Sequence, residues 1–307
     1  MKIGKFILPS TPKAMDLVEE IVQAEAHGFS SAWLAHIAGP DAMTTLAIAG
    51  SRTSTIELGT FVVPTFPRHP VAMAQQGLTV QAVSNNRFTL GIGLSHRVVM
   101  EGRLGYDWDH PIRHMREYLS VLRPALAGES VTFQGEEYRV DGVGLGISVG
   151  QPPQILVAAL GPQMLKLCGR MADGTAVWMG GPTYLRDHAI PTIRQAAEEA
   201  GRPAPRIVAS VPVCVTDKPD EVRKTAARAF ARYGQLPSYR AILDRDGASE
   251  PTDVSLIGSE DEVRAGLRAF ADAGVTDFAA AIFAPDRADA EQTIEVLRST
   301  ESSELTS

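Results

Sequence analysis

The chain has 307 residues, of which 44% are hydrophobic and 21% are charged, a balance typical of a globular protein with a sizeable core. The formal net charge is -7 and no basic face is visible, which argues against a nucleic-acid partner. A strand signal begins at once at the N-terminus and no apolar run reaches transmembrane length. We therefore expect a cytoplasmic protein with no membrane partner.

Strand and helix signals alternate along the chain, with short loops between them. Apolar runs that end in glycine, proline or polar residues predict buried strands at residues 2–8, 29–36, 154–160, 173–179, 206–216 and 276–283, with two more inside 56–70 and 87–96. Helical spacing of apolar residues predicts helices at 14–27, 42–51, 71–83, 183–200, 219–233, 260–273 and 289–297, with others beginning at Pro111 and Pro162. This alternation implies parallel pairing with right-handed crossovers.

Eight strand–helix units fit an α/β fold of the (β/α)8 TIM-like barrel type, which needs about 250 residues. Longer insertions follow strands four and seven, at about residues 97–111, 129–152 and 234–259. We predict a single barrel domain over residues 1–298 and a disordered tail over 299–307. An open doubly wound sheet is the alternative, and the lack of a glycine-rich dinucleotide turn after strand one disfavours it.

Two histidines at predicted strand exits are the candidate catalytic residues. His36 follows strand two, where it would donate a hydrogen bond or relay a proton; the alternative is a loop histidine that satisfies neighbouring carbonyls. Residues 91–96 superficially resemble a dinucleotide fingerprint, but the third glycine is missing from the register and the segment lies at strand four, so we reject a Rossmann motif. The glycines still let a flat ligand approach the backbone, and we expect Ser95 and His96 to face the pocket.

Two further segments are candidate ligand contacts. A strand-to-helix exit with little side-chain bulk is formed by Leu160, Gly161 and Pro162, and its backbone N–H groups could cradle a phosphate. The alternative is purely structural, because Gly-Pro is also common where a helix begins. Tyr239 and Arg240 in the second insertion could close over a ligand, or could pack the insertion on the barrel.

The residue types that bind metals or act as nucleophiles form no pattern. We find neither paired histidine spacing nor a G-x-S-x-G elbow, so we predict no metal site. Cys168 and Cys214 stand in apolar surroundings on separate elements, as buried thiols do in a reducing compartment. An organic cofactor is then the simplest source of the chemistry.

Several short segments, taken in their order and spacing, resemble the luciferase-like monooxygenase superfamily, and specifically its branch of deazaflavin (coenzyme F420)-dependent oxidoreductases. The resemblance covers nearly the whole chain. Its carriers are Ala32-Trp33-Leu34-Ala35-His36, Ile56-Glu57-Leu58-Gly59-Thr60, Val63-Pro64-Thr65, Arg68-His69-Pro70, Arg87-Phe88-Thr89-Leu90-Gly91-Ile92-Gly93, Ala159-Leu160-Gly161-Pro162 and Ala172-Asp173-Gly174-Thr175. Segments that are similar to one F420-associated subgroup are Leu94-Ser95-His96, Pro237-Ser238-Tyr239-Arg240 and Thr276-Asp277-Phe278.

The resemblance implies a barrel that holds the cofactor in its mouth and assembles as a homodimer. It implies a cis peptide bond between Phe61 and Val62 that backs the deazaflavin ring. By match to the family, the ring edge and the phosphate side of the cofactor would contact Ser95, Arg97, Ala159, Leu160, Gly161 and Pro162. Many relatives carry Asp-His at the exit of strand two, where the His takes part in proton transfer. Here His36 stands where the Asp would be, or the register shifts by one.

Three functions follow as hypotheses. The first is an F420-dependent oxidoreductase that moves a hydride between deazaflavin C5 and a small organic substrate, for example by reducing a C=C or C=N bond. His36 and His96 are its candidate proton donors, and Tyr239 and Arg240 its candidate substrate contacts. The second is an FMN-dependent monooxygenase, and the third is a barrel that binds a ligand without turnover. The lack of a basic cluster disfavours a sugar-phosphate dehydrogenase.

Overall fold

The computed structural model describes residues 1–8 and 11–300. The strands are β1 Lys2–Ile7, β2 Ser31–Leu34, β3 Glu57–Thr60, β4 Val63–Pro64, β5 Phe88–Gly93, β6 Val131–Gln134, β7 Arg139–Val143, β8 Gln154–Val157, β9 Gly174–Trp178, β10 Arg206–Ser210, β11 Pro212–Val215, β12 Leu256–Gly258 and β13 Asp277–Ile282. The helices are α1 Ala14–Ala26, α2 Ala42–Arg52, α3 Pro70–Val83, α4 Arg97–Met100, α5 Pro111–Leu126, α6 Pro162–Met171, α7 Pro182–Tyr184, α8 Ile190–Glu199, α9 Pro219–Gln235, α10 Pro237–Asp246, α11 Glu260–Asp272 and α12 Arg287–Ser299. A π-helical turn, Leu185–Ala189, joins α7 to α8, and a 3-10 turn spans Pro251–Val254.

Eight strands close into a ring in the order β1, β2, β3, β5, β8, β9, β10 and β13, and β13 pairs again with β1. Every neighbouring pair in the ring is parallel. The predicted (β/α)8 barrel is therefore confirmed, and the open doubly wound sheet is wrong. Parallel strands buried on both faces explain why the sequence shows near-continuous apolar runs rather than alternation.

The N-terminal end of the barrel is closed by an ion-pair network around Arg206. Its guanidinium lies 2.6 Å from Glu57 Oε1 and 2.7 Å from Asp277 Oδ1, and it covers the ring of Trp33 at 5.3 Å. Side chains on barrel strands alternate between interior and exterior, so the inward position of residue 206 also turns residues 208 and 210 inward. Because this end is filled, the opposite end is left for a functional site.

The insertions after strands four and seven of the ring are present as predicted. β6 and β7 form the antiparallel hairpin of the first one, and three backbone N–H groups of its turn donate to the Glu117 carboxylate. After β11 the chain forms α9, α10 and β12 before α11 returns to β13. Phe230 of α9 packs against Trp178 at 5.9 Å, so α9 also covers the barrel mouth, and the second insertion begins before the expected residue 234.

Smaller differences concern the ends of elements. Strand seven is interrupted at Val211 between β10 and β11, and the second strand is shorter than the expected 29–36. α12 includes Ser299, and residues 301–307 of the expected tail lie outside the described residues. Among the described helices, none has the length and apolar character needed to cross a membrane.

Candidate active site

The exit of strand three has the backbone that the family resemblance implied. The peptide bond between Phe61 and Val62 is cis, as predicted. The Phe61 ring packs inward against Phe6, with centroids 4.8 Å apart. The Val62 side chain lies over strand β5, where a Cβ on Gly93 would come within 2.6 Å of Val62 Cγ2. Glycine at position 93 is therefore required by the close approach of Val62.

His36 lies at the exit of β2, where its ring is fixed by the start of α2. The backbone N–H of Ala42 donates to its Nδ1 at 3.3 Å, so a neutral His36 carries its proton on Nε2. Asp41 Oδ2 lies 3.8 Å from the same Nδ1, and the Arg68 guanidinium pairs with that carboxylate oxygen. His36 is thus part of a polar cluster with Asp41 and Arg68. Its ring is held by the N–H group of Ala42, and not by the neighbouring carbonyls that the alternative prediction named.

Electrostatics keep His36 neutral. Burial, and then the positive charge of Arg68, lower the pKa of His36, while Asp41 opposes them. Burial alone would raise the pKa of Asp41, but hydrogen bonds from Thr44 and the charge of Arg68 lower it. Asp41 therefore stays ionised as the partner of Arg68, and His36 is a neutral N–H donor at its Nε2.

Ser95 and His96 follow β5, as expected, and bring a second histidine to the mouth. Ser95 has a φ of 64°, in the left-handed region, which turns the chain sharply before α4. The His96 ring meets the Tyr239 ring edge to face at 5.8 Å. Within the described residues neither ring nitrogen of His96 has a hydrogen-bond partner. Burial, and then Arg232, lower the pKa of His96, so this imidazole is also neutral.

Arg97 is oriented differently from its neighbours. Its side chain is 62% exposed and forms a two-point ion pair with Glu101, one helical turn away, at 2.6 Å. The structure therefore does not bring the Arg97 guanidinium to His96 or Tyr239. Its assignment as a cofactor contact stays a prediction that would require this pair to open.

The exit of β8 forms a cradle of backbone groups. Ala159 is buried, and the Leu160 carbonyl accepts a hydrogen bond from the Tyr184 hydroxyl at 2.6 Å. Gly161 is the N-cap residue of α6 with no side-chain cap, and Pro162 is the first helical residue. A Cβ on Gly161 would meet no atom within 4 Å. Open space thus faces the uncapped first turn of a ten-residue helix, an arrangement suited to an anion.

The two predicted substrate residues point in different directions. Tyr239 is buried between His96 and Tyr233, and its hydroxyl has no hydrogen-bond partner in the described part of the chain. The Arg240 guanidinium instead pairs with Asp244 at 2.7 Å and donates to the carbonyls of Ser249 and Ala248. Arg240 therefore packs the insertion, as its alternative interpretation held, and the assignment of Tyr239 as a substrate contact stays a prediction.

Sequence reasoning missed the residues that connect the insertion to the barrel. Trp178, at the end of β9, contacts Phe6, Phe230 and Tyr233. Asp246, in the last turn of α10, accepts hydrogen bonds from the N–H groups of Gly181 and Tyr184. Trp178 stands at a strand exit and could have been chosen on that basis. Asp246 carried no signal, because its partners are backbone groups far away in sequence.

Across residues 1–8 and 11–300, no group of three His, Cys, Asp or Glu side chains is placed to hold a metal ion. Both cysteines are buried, and burial raises the pKa of the Cys168 thiol to about 12 and that of Cys214 to about 11. Among the described residues, the polar groups at the strand exits include imidazole, phenol and backbone N–H groups.

Comparisons with known proteins find chains that are similar in sequence and in fold. The 5,10-methylenetetrahydromethanopterin reductase of Archaeoglobus fulgidus is 31% identical over 253 residues, covering 81% of this chain and 75% of that protein. The F420-dependent glucose-6-phosphate dehydrogenase of Nakamurella multipartita is 29% identical over 260 residues, with 80% and 75% covered. The coenzyme F420-dependent tetrahydromethanopterin reductase of Methanopyrus kandleri has the same fold, with a TM-score of 0.85, 23% identity and 99% of each chain covered.

A family model settles the classification. The model described as luciferase-like monooxygenase matches residues 1–277, which is most of the chain. The match spans the His36 exit, the Phe61–Val62 bond, the His96 exit and the Gly161 cradle. This chain belongs to the luciferase-like monooxygenase family.

Proposed function

We propose that this protein is an F420-dependent oxidoreductase that transfers a hydride between deazaflavin C5 and a small organic substrate. The observation that carries the proposal is the uncapped first turn of α6, which opens at Gly161 beside the glycine-lined exit of β5. Relatives described as F420-dependent, and the reductases among them, support the choice of cofactor.

The residues present fit the cofactor at both of its ends. The N–H groups of Gln163 and Met164 in the first turn of α6 would hold the phosphate, since no side chain caps them. The ring would lie against Phe61 and Val62, with Ser95 and Leu160 at its edge. When bound, the deazaflavin would supply or accept the hydride.

The protein's own contribution would be orientation, exclusion of water and a proton. His36 and His96 are both neutral N–H donors at the mouth. They follow β2 and β5, the two strands that pair with β3 in the barrel. His36 has a fixed tautomer, because Ala42 N–H occupies its Nδ1. A histidine held neutral in this way can donate a hydrogen bond, or a proton, to a substrate atom that gains negative charge.

Parallel titrations with oxidised F420 and with FMN test the proposal. We expect the fluorescence of F420 to be quenched when the protein binds it, with a dissociation constant well below that of FMN. Tight FMN binding without F420 binding would instead support the monooxygenase hypothesis. F420 binding without turnover of any acceptor would support the ligand-binding barrel. The homodimer implied by the family resemblance stays a prediction, which light scattering can check.

A further inference from the structure

The pairing register of the barrel changes by one residue where β3 passes into β4. β3 pairs with β5 up to Gly59 opposite Thr89, and β4 resumes the pairing with Val63 opposite Ile92. Between these two pairs, residues 60–62 face two residues of β5, so three residues stand against two. An extra residue of this kind interrupts the backbone hydrogen bonds between two strands. We call residues 60–62 the β3 bulge.

The Thr60 side chain replaces the interrupted backbone bonds. The N–H of Gly91 donates to Thr60 Oγ1 at 2.8 Å, and the Thr60 hydroxyl donates to the Gly91 carbonyl at 2.7 Å. Both groups of Gly91 face the bulge, because the carbonyl of the next residue, Ile92, accepts from Ala158 on the opposite edge of β5. Thr60 is fully buried, so bulk water does not reach either bond. One hydroxyl group therefore satisfies a donor and an acceptor that would otherwise be buried without a partner.

The bulge lies directly on the glycine backbone of β5. A Cβ on Gly91 would lie 2.0 Å from the Thr60 carbonyl oxygen and 3.1 Å from Val62 Cγ1, and a Cβ on Gly93 would lie 2.6 Å from Val62 Cγ2. These two positions of β5 therefore offer no side chain that could fix the bulge. On its other side the bulge is held by β2, where a backbone carbonyl accepts from the N–H of Phe61 at 2.9 Å. The Thr60 hydroxyl supplies the matching attachment on β5.

We propose that Thr60 is a positioning residue of the candidate cofactor site. Its hydroxyl fixes the β3 bulge on β5 and thereby places Phe61 and Val62 where they back the deazaflavin ring. A binding surface must keep its geometry to within about 0.5 Å, and buried hydrogen bonds behind the contact residues provide this. Because Thr60 is buried beneath the bulge, it acts through Phe61 and Val62. The inference rests on the proposed function, since it concerns the slot assigned to the cofactor.

Amide hydrogen exchange, followed by NMR in the protein without cofactor, tests the attachment of the bulge. In wild type we expect the Gly91 amide to exchange as slowly as the amides of Leu90 and Ile92. Thr60→Val keeps the shape of the side chain and removes the hydroxyl, so the Gly91 amide should exchange about tenfold faster or more. Thr60→Ser keeps the hydroxyl and should retain slow exchange. Fast exchange of Gly91 in wild type would overturn the proposal, and this measurement does not require any variant to fold.

F420 titration tests the effect on the cofactor, and Thr175 provides a matched control. Thr175 is also fully buried, and its hydroxyl donates to the Val157 carbonyl at 2.8 Å, between β8 and β9. Thr60→Val should weaken F420 binding by about tenfold or more, whereas Thr60→Ser and Thr175→Val should stay within about twofold of wild type. Equal losses in Thr60→Val and Thr175→Val, or no loss in either, would show that Thr60 serves stability alone. If Thr60→Val does not fold, Thr60→Ala removes the same hydroxyl with a smaller side chain.

The two measurements together separate this inference from the proposed function. If F420 does not bind to the wild-type protein, the cofactor assignment is wrong, while slow Gly91 exchange that depends on the Thr60 hydroxyl still supports the attachment of the bulge. If F420 binds to wild type and to every variant alike, the cofactor assignment stands and the positioning role of Thr60 is wrong.

Discussion

The Tyr184 hydroxyl donates a hydrogen bond of 2.6 Å to the Leu160 carbonyl, and this bond ties the cover of the barrel to the candidate phosphate cradle. The N–H of Tyr184 in turn donates to Asp246, at the end of α10. Leu160 is followed directly by Gly161, the N-cap of α6. The second insertion, which carries Tyr239, is therefore connected through two hydrogen bonds to the backbone that would hold the cofactor.

Removing the Tyr184 hydroxyl should loosen this connection. Tyr184→Phe leaves the half-buried Leu160 carbonyl without this partner, so we expect the free energy of unfolding to fall by about 0.5–1.5 kcal/mol. We also expect weaker F420 binding, because the backbone at Gly161 loses a support. Urea unfolding and F420 titration measure the two effects. Unchanged F420 affinity in a folded variant would show that the bond serves stability alone.

A carboxylate at position 161 should compete with the cofactor phosphate. Gly161 has an extended backbone that any residue can adopt, and its Cβ position is open. Gly161→Asp would cap α6 and raise stability by about a few tenths of a kcal/mol, while repelling a phosphate. F420 affinity should fall by about tenfold or more, corresponding to about 1.4 kcal/mol. Gly161→Ser is the matched control, since it caps the helix without charge and should lower the affinity less.

His114 should make the protein sensitive to acid. It is buried, with Thr65 Oγ1 at 2.9 Å from Nε2 and the Tyr138 hydroxyl at 3.4 Å from Nδ1, and burial lowers its pKa from 6.5 to about 4 against the opposing charges of Glu137 and Glu117. Between pH 4 and pH 6.5 the His114 imidazole is protonated in the unfolded chain but neutral in the folded protein. Stability is therefore full above pH 6.5 and is lost as the pH falls toward 4, by up to about 3 kcal/mol.

Chemical denaturation between pH 4 and pH 7 measures this contribution. In His114→Gln the free energy of unfolding should depend less steeply on pH, because the contribution of His114 is removed. This holds whatever the absolute stability of the variant. His110→Gln, on the exposed loop before α5, is the control. An unchanged slope in His114→Gln would mean that His114 does not titrate in this window.

Arg68 should control the protonation of His36. Its positive charge is the second cause, after burial, of the lowered His36 pKa. Arg68→Gln removes that charge and leaves Asp41 ionised nearby, so the pKa of His36 should rise. Histidine NMR titration of wild type and variant measures the shift directly. A pKa of His36 that stays constant or falls would contradict the role of Arg68, and Arg97→Gln, an arginine paired elsewhere, is the control.

Arg206 should matter for stability but not for binding. Arg206→Met leaves Glu57 and Asp277 without their shared partner inside the barrel, which should cost about 3–5 kcal/mol. The network lies at the end opposite the candidate site, so F420 affinity of the folded variant should be unchanged. A large loss of affinity without a loss of stability would reverse this assignment of the two barrel ends.

The sequence predicted the barrel well because each buried strand is a short apolar run with a clear end. It did not reveal that α9 covers the mouth, since an amphipathic helix has the same pattern whether it packs on the barrel wall or over the rim. The ion pair of Arg97 could have been predicted in part, because Glu101 stands four residues later on a helix. The Phe61–Val62 bond came from the family resemblance and not from any local pattern.

The ring contacts of Phe6, Trp178 and Tyr239 lay beyond sequence reasoning for a different reason. Phe6, Trp178 and Tyr239 are far apart in the chain, and each taken alone is ordinary core. Only closure of the ring and folding of the insertion bring them to one surface. Long-range contacts of this kind leave no periodicity in the sequence.

The central claim is that a deazaflavin binds at the β5 and β8 exits, with its phosphate on α6. A crystal structure of the protein soaked with oxidised F420 tests it most directly. The account predicts the ring against Phe61 and Val62 and the phosphate within hydrogen-bond distance of the N–H groups of Gln163 and Met164. A cofactor found elsewhere, or a first turn of α6 that stays free of phosphate when F420 is bound, would contradict it.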